Sequence, residues 1–171
     1  MEKSNIDEKI KLLTGSGMWH TQETEDLPSV HLSDGPHGLR KQEEKERQNN
    51  VSLVSTCYPT ASALACSWDV TAAERLGRAV AKEAWNADVA VLLGPGINMK
   101  RSPLCGRNFE YFSEDPFLAG RLGAAYVSAA QGENVAVSLK HFAANNQETN
   151  RQTANSQIDE RALREIYLSA F

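Results

Sequence analysis

Three short apolar runs, each opening into a loop crowded with polar side chains, limit the folds open to this chain. SVHLS (29–33) leads into DGPHG, VAVLLG (89–94) into PGINMKRSPLCGRNFEYFSED, and VAVSLK (135–140) into HFAANNQETNR. Apolar runs of this length read as strands. The second is continuously apolar and β-branched at Val89 and Val91, which suits a strand buried on both faces of a parallel sheet.

Helical patterns lie between the runs. Thr71-Ala-Ala-Glu74 has capping-box form, and Ala73, Leu76, Val80 and Ala84 follow at helical spacing. Gly77 on that face would let the helix sit close to a sheet. A second helix starts with Asp115 as N-cap and Pro116 in the first position, buries Leu118, Leu122, Ala125 and Ala129, and ends with Gly132 as C′ residue. A third begins near Asp159 and presents Leu163, Ile166, Tyr167 and Ala170. Alternation of strand and helix predicts an α/β protein with a parallel sheet and right-handed crossovers. Folds of this kind place their functional groups on the loops after the strand C-termini.

Composition excludes several classes. With 18 Lys and Arg against 22 Asp and Glu, the net charge is −4, a poor match for nucleic acid or an anionic membrane surface. No apolar run approaches the ~18 residues of a spanning helix. The N-terminus, MEKSNIDEKIKLL, has no apolar signal core. Cys57, Cys66 and Cys105 are odd in number and widely spaced, so the expectation is reduced thiols in a cytoplasmic protein. None stands at metal-ligand spacing from a His, and no cofactor is implied. KQEEKERQNN (41–50) has no apolar residue and reads as a solvated surface loop.

The post-strand loops hold the candidate residues, each with a plain alternative. Asp34, in SDGPHGLR, is either a site carboxylate or the cap of a tight turn. Arg107, after Gly106, offers a fork of donors to vicinal hydroxyls or a carboxylate, or it pairs with Glu110 or Glu114. Lys140 and His141 follow the third run, and both can face one ligand only if the strand ends between them. Otherwise they are a solvated Lys beside a core His. Arg151 and Glu148 sit in a loop dense in amides, with Asn145, Asn146 and Gln147, as a sugar-binding surface requires and as any polar loop allows. GPG at 94–96 lacks the residues of a phosphate loop.

Taken in order, WHT (19–21), SDGPHGLRKQ (33–42), CYPTASALACSWD (57–69), LLGPGINMKRSPLCGRNFEYFSEDP (92–116), KHFAANNQETNR (140–151) and DERALREIYL (159–168) resemble glycoside hydrolase family 3, in its β-glucosidase branch. KHFAANNQE in particular looks like the β-glucosidase form of that segment. The resemblance implies the N-terminal part of a (β/α)8 TIM-like barrel, about three βα units over residues 1–171. It also implies retaining hydrolysis of terminal β-D-glucosyl residues in a β-glucoside or oligosaccharide. By the same resemblance, Asp34, Arg107, Lys140, His141 and Arg151 line the subsite for the terminal sugar. The family's nucleophile is an Asp in a later SDW-like motif, its acid/base comes from a later domain, and no SDW occurs here. The expectation is therefore a truncated chain, inactive alone, with the remainder of the barrel and the later domain absent. The apolar helix face at Tyr167 and Phe171 is expected to lie uncovered. The alternatives are a non-catalytic sugar-binding fragment and one half of a split glycosidase that awaits a complementing C-terminal half.

Overall fold

The structure, a computed structural model, describes residues 6–42 and 51–171. Most of the polar stretch expected as a surface loop, residues 43–50, lies outside the described residues. A short helix, α1 (Ile6–Lys11), precedes a sheet of β1 (Leu32–Asp34), β2 (Val91–Leu93) and β3 (Ala136–Val137). The strands are parallel in the order β1-β2-β3, with Ser33 opposite Leu92 and Leu92 opposite Val137. Each strand is followed by a long loop and then by helix. After β1 come α2 (Ala61–Ala65) and α3 (Val70–Asn86). After β2 come a 3-10 turn (Asn108–Glu110) and α4 (Pro116–Gln131). After β3 comes α5 (Glu160–Ala162), continued by a π-helical turn (Leu163–Tyr167). This is part of an α/β barrel, three βα units in sequence.

The strands are shorter than the apolar runs, and β2 differs from its expectation. Leu92 is fully buried, while Val91 and Leu93 on the opposite face are half-buried. The continuous apolar run is explained by what flanks the strand. Val89 and Val135, just outside β2 and β3, join Leu92 in a core with Leu76, Val80 and Ala84 of α3 and Tyr126 and Ala130 of α4. The helices thus cover one face of the sheet. A second core gathers Ala61 and Ala65 of α2, Ala73 of α3, Ala119, Leu122 and Ala125 of α4, Ile97 and Phe112.

Helix ends follow the chemistry of caps, with corrections. The cap of α3 is Asp69, whose carboxylate accepts from Thr71 N–H at 2.8 Å and from the Thr71 hydroxyl at 2.7 Å. Thr71 is therefore already inside the helix, and the expected capping box starts too late. Asp is an acceptor of both donors at once, which outcompetes the Thr hydroxyl. Asp115 caps α4 as expected, accepting from Phe117 N–H at 2.9 Å with Pro116 first in the helix. Gly132 closes α4 in a right-handed conformation, φ −62°, so it is not a left-handed C′ residue. The left-handed position falls at Asn134, φ 61°, a residue that tolerates it.

Gly77 does permit a close approach, but to α4 and not to the sheet. A Cβ there would stand 2.5 Å from the Tyr126 carbonyl oxygen. Asp159 caps α5 by accepting from Ala162 N–H at 2.8 Å. Beyond it Leu168 N–H reaches back to the Leu163 carbonyl at 2.8 Å, a wider turn that swings Ile166 out to solvent. Tyr167 is buried, and its hydroxyl accepts from Arg101 Nη1 at 2.8 Å. Phe171 lies edge-on to Phe142 with ring centroids 5.4 Å apart. The aromatic face expected to be uncovered is covered in part by the chain's own loops.

Candidate functional site

β1 delivers Asp34 as its last residue, and the tight turn after it holds Gly35 and Gly38 at φ 118° and 156°, conformations open to glycine. The loop after β2 delivers Arg107 and Glu110 at either end of the 3-10 turn. The segment after β3 delivers Lys140, His141 and, farther on, Glu148 and Arg151. β3 stops at Val137, so alternation no longer governs Lys140 and His141. Asn98, itself buried, then clamps the backbone of His141 from both sides. Its Oδ1 accepts the His141 N–H at 2.6 Å, and its Nδ2 donates to the His141 carbonyl at 2.9 Å.

These loops enclose a cavity of about 640 Å³, in the range of small-molecule sites. Asp34, Arg107, Lys140 and Arg151 line it, with Arg40, Glu110, Glu148, Pro36, His37 and Phe109. His141 does not form part of the cavity wall and stands beside it. The charged groups form a line of alternating sign. Lys140 Nζ is 3.2 Å from Asp34 Oδ1 and 3.2 Å from Glu110 Oε2. Arg107 Nε donates to Glu110 Oε1 and is 3.9 Å from Glu148 Oε1. Glu148 Oε2 meets Arg151 Nη1 at 3.1 Å. The centre of the line is dry, with the Glu110 side chain 4% exposed, and its far end is wet, with Arg151 58% exposed.

His141 belongs to a second network. Tyr111, fully buried, places its hydroxyl 2.8 Å from His141 Nδ1. That hydroxyl also accepts from Asn145 Nδ2 at 2.8 Å. Burial, then the charges of Arg107 and Lys140, push the His141 pKa down to about 4. The ring is neutral at pH 7. Burial raises the Tyr111 pKa further from neutrality, which keeps the phenol a donor. Burial pushes Glu148 up, but hydrogen bonds from Asn145 and Arg151 and the charge of Arg107 outweigh it and hold the carboxylate low. A second cavity of about 550 Å³, lined by Ser62, Trp68, Lys100 and Asn108, contains none of the expected site residues. Among the described residues no group of three or more His, Cys, Asp or Glu is placed to hold a metal ion.

A pocket of alternating carboxylates and cations, with neutral amide and imidazole donors behind it, is suited to a polyhydroxylated ligand. The pattern of the glycosyl hydrolase family 3 N terminal domain matches residues 34–171, most of the chain. The chain belongs to glycoside hydrolase family 3. Relatives within this family agree along its whole length. It is 50% identical, over all of its residues, to thermostable beta-glucosidase B of Acetivibrio thermocellus, and covers 23% of that protein. It is 47% identical over 97% of its length to an exo-alpha-(1->6)-L-arabinopyranosidase of Bifidobacterium longum, again 23% of that protein. Among solved family 3 structures, a beta-glucosidase of Bifidobacterium adolescentis matches 97% of this chain at 46% identity and TM-score 0.87. The chain covers 24% of that structure. Beta-glucosidase 3B of Thermotoga neapolitana, in complex with glucose, matches 97% of the chain at 38% identity and TM-score 0.87, the chain covering 26% of it. The chain thus spans about a quarter of the length of the curated family 3 relatives it matches.

Several residues of this cavity and its surroundings escape the sequence reading. Glu110 enters there only as the plain partner of Arg107, yet it joins Arg107 to Lys140. Arg40 shares the SDGPHGLR motif and is tied back to the first strand by its N–H to the Asp34 carbonyl at 2.9 Å, a link the motif's tight turn makes readable. Asn98 and Tyr111 carry no signal of their own, because their partners lie 43 and 30 residues away.

Proposed function

We propose that this chain supplies the sugar-holding part of a retaining glycoside hydrolase that removes terminal β-D-glucosyl residues. The observation that carries the reading is the 640 Å³ cavity assembled from all three post-strand loops around Asp34, Arg107, Lys140 and Arg151. In this reading Asp34 accepts hydrogen bonds from sugar hydroxyls. Lys140 and Arg107 donate to them, His141 adds its imidazole from the cavity's edge, and Arg151 closes the open side. Such contacts orient the glycosidic bond, and those that strengthen as the ring flattens lower the barrier.

Retaining hydrolysis needs two carboxyl groups about 5–5.5 Å apart, one free to attack and one able to give a proton. Asp34 is engaged by Lys140, Glu110 by Arg107 and Lys140, and Glu148 by Asn145, Arg107 and Arg151. Carboxylates committed in this way favour binding over attack. The proposal therefore places nucleophile and acid/base outside these 171 residues.

A second reading of the sugar rests on the arabinopyranosidase among the relatives. L-Arabinopyranose offers ring hydroxyls without an exocyclic hydroxymethyl group, and the same donors and acceptors could hold it. One experiment tests both. The chain alone, and a hybrid in which it replaces the matching quarter of the Acetivibrio enzyme, are assayed on p-nitrophenyl β-D-glucoside and α-L-arabinopyranoside. The expected result is no turnover by the chain alone and retaining glucosidase activity in the hybrid. In the hybrid, Asp34→Asn should lower kcat/KM about ten- to a hundredfold, as loss of a charged hydrogen-bond acceptor does. A hybrid preferring the arabinoside would select the second sugar. Turnover by the bare chain, or an Asp34→Asn hybrid as active as the unsubstituted one, would overturn the assignment.

A further inference from the structure

We propose that Glu110 is a positioning residue of the sugar site: a single buried carboxylate that sets the spacing and direction of the two cations meeting the sugar. The inference deepens the function proposed above and rests on it. Arg107 and Lys140 come from loops after different strands; their backbones are drawn together at Gly96, which bridges to both Tyr111 and Lys140, but that pairing leaves the direction of the two long side chains open. Glu110 orients them by accepting from Arg107 Nε on one oxygen and pairing with Lys140 Nζ at 3.2 Å through the other. Binding through Nε leaves the terminal nitrogens of the guanidinium for the cavity. Lys140, held by Glu110 and Asp34, keeps one of its donors for a ligand.

The carboxylate is itself held from below. Tyr111, the next residue, is fully buried and pairs with Gly96 in a parallel bridge. A Cβ on Gly96 would stand 2.8 Å from the Glu110 carbonyl oxygen, so only glycine permits the approach. Glu110 is thus fixed at both backbone and side chain before any ligand arrives. The Lys140 and Arg107 donors that the carboxylates do not take up remain for hydroxyl oxygens in the cavity. Without the anion the cations repel, and Lys140 turns fully to Asp34, occupying the acceptor the sugar needs. A purely structural ion pair would need only charge cancellation, and its loss would be felt in stability alone.

The test is D-glucose affinity of the dilute 171-residue chain, read by ligand-observed saturation-transfer NMR, with melting temperature measured alongside. Glu110→Gln keeps the shape and removes the charge. It should weaken glucose at least about tenfold, as expected for losing one charged hydrogen-bonding partner. Glu110→Asp should recover part of that loss. The double variant Glu110→Gln, Lys140→Ala should lose less than the product of the single losses, because both act through one contact. Unchanged glucose affinity in Glu110→Gln, or losses that multiply, would overturn the inference. If Glu110→Gln does not melt cooperatively, Glu110→Asp decides: weaker glucose at an unchanged melting temperature upholds the inference, and unchanged affinity overturns it. A wild-type chain that melts cooperatively but shows no saturable glucose signal overturns the sugar-site reading itself, and the inference with it.

Discussion

His141 shows how one side chain carries a pH dependence. Its pKa is driven to about 4 by burial and by the charges of Arg107 and Lys140, whereas in the unfolded chain it returns to about 6.5. Between these values the unfolded chain binds more protons than the folded one, so stability rises with pH there and falls as pH drops from about 6.5 toward 4. Thermal melts across that window should show this loss, and His141→Gln should flatten it. A slope unchanged in the variant would assign the effect elsewhere. Asp34, Arg107, Lys140 and Arg151, which line the cavity, were singled out in sequence because they sit in compact motifs after strand ends, where chemistry collects in this fold class. Glu110 was read as an accessory because its second partner, Lys140, is 30 residues away along the chain. Tyr111 looked like one more aromatic among NFEYF; only the tertiary contact with His141 gives it a role.

Among elements, the packing of α3 on α4 depends on one missing side chain. The Tyr126 backbone lies where a Gly77 Cβ would be, and backbone cannot yield as a flexible side chain can. Gly77→Ala should force the helices apart and cost about 1–3 kcal/mol, the usual range for overpacking. Chemical denaturation would measure it, and a stability gain of the size expected for Gly→Ala in a free helix would contradict the packing. Periodicity made α3 and α4 readable and a Pro after Asp marked the start of α4, whereas the start of α3 was placed two residues late because Asp69, not Thr71, caps it. Strand ends were less readable. Val89 and Val135 are as apolar as any strand residue, but they are buried by helices beyond the pairing and not by it. The π-helical turn at Leu163–Tyr167 has no local code, and it alone moved Ile166 out of the stripe.

At the scale of the molecule, the sheet is narrow and much apolar surface stays in water. Leu104 is 92% exposed, and Trp68, Phe117 and Phe142 are each exposed over most of their surface. β3 stands at one edge of the three-stranded sheet, whereas the outer edge of β1 is met by the Trp19 carbonyl, which accepts the Leu32 N–H at 2.7 Å, and by the Arg40 N–H on Asp34. The chain should therefore self-associate as concentration rises, with sedimentation showing species heavier than 18.8 kDa. A monomer at all concentrations would show that these side chains are less available than they look. The line of charges from Asp34 to Arg151 crosses all three post-strand loops, and its burial is graded from the dry Glu110 to the wet Arg151. Mobile ions screen exposed charges over about 8 Å at physiological ionic strength but enter a dry centre poorly. Added salt should thus release the Arg151 end first and leave the Arg107–Glu110–Lys140 centre gripped. Ligand affinity would then fall modestly with salt and level off at the part the buried centre alone supplies.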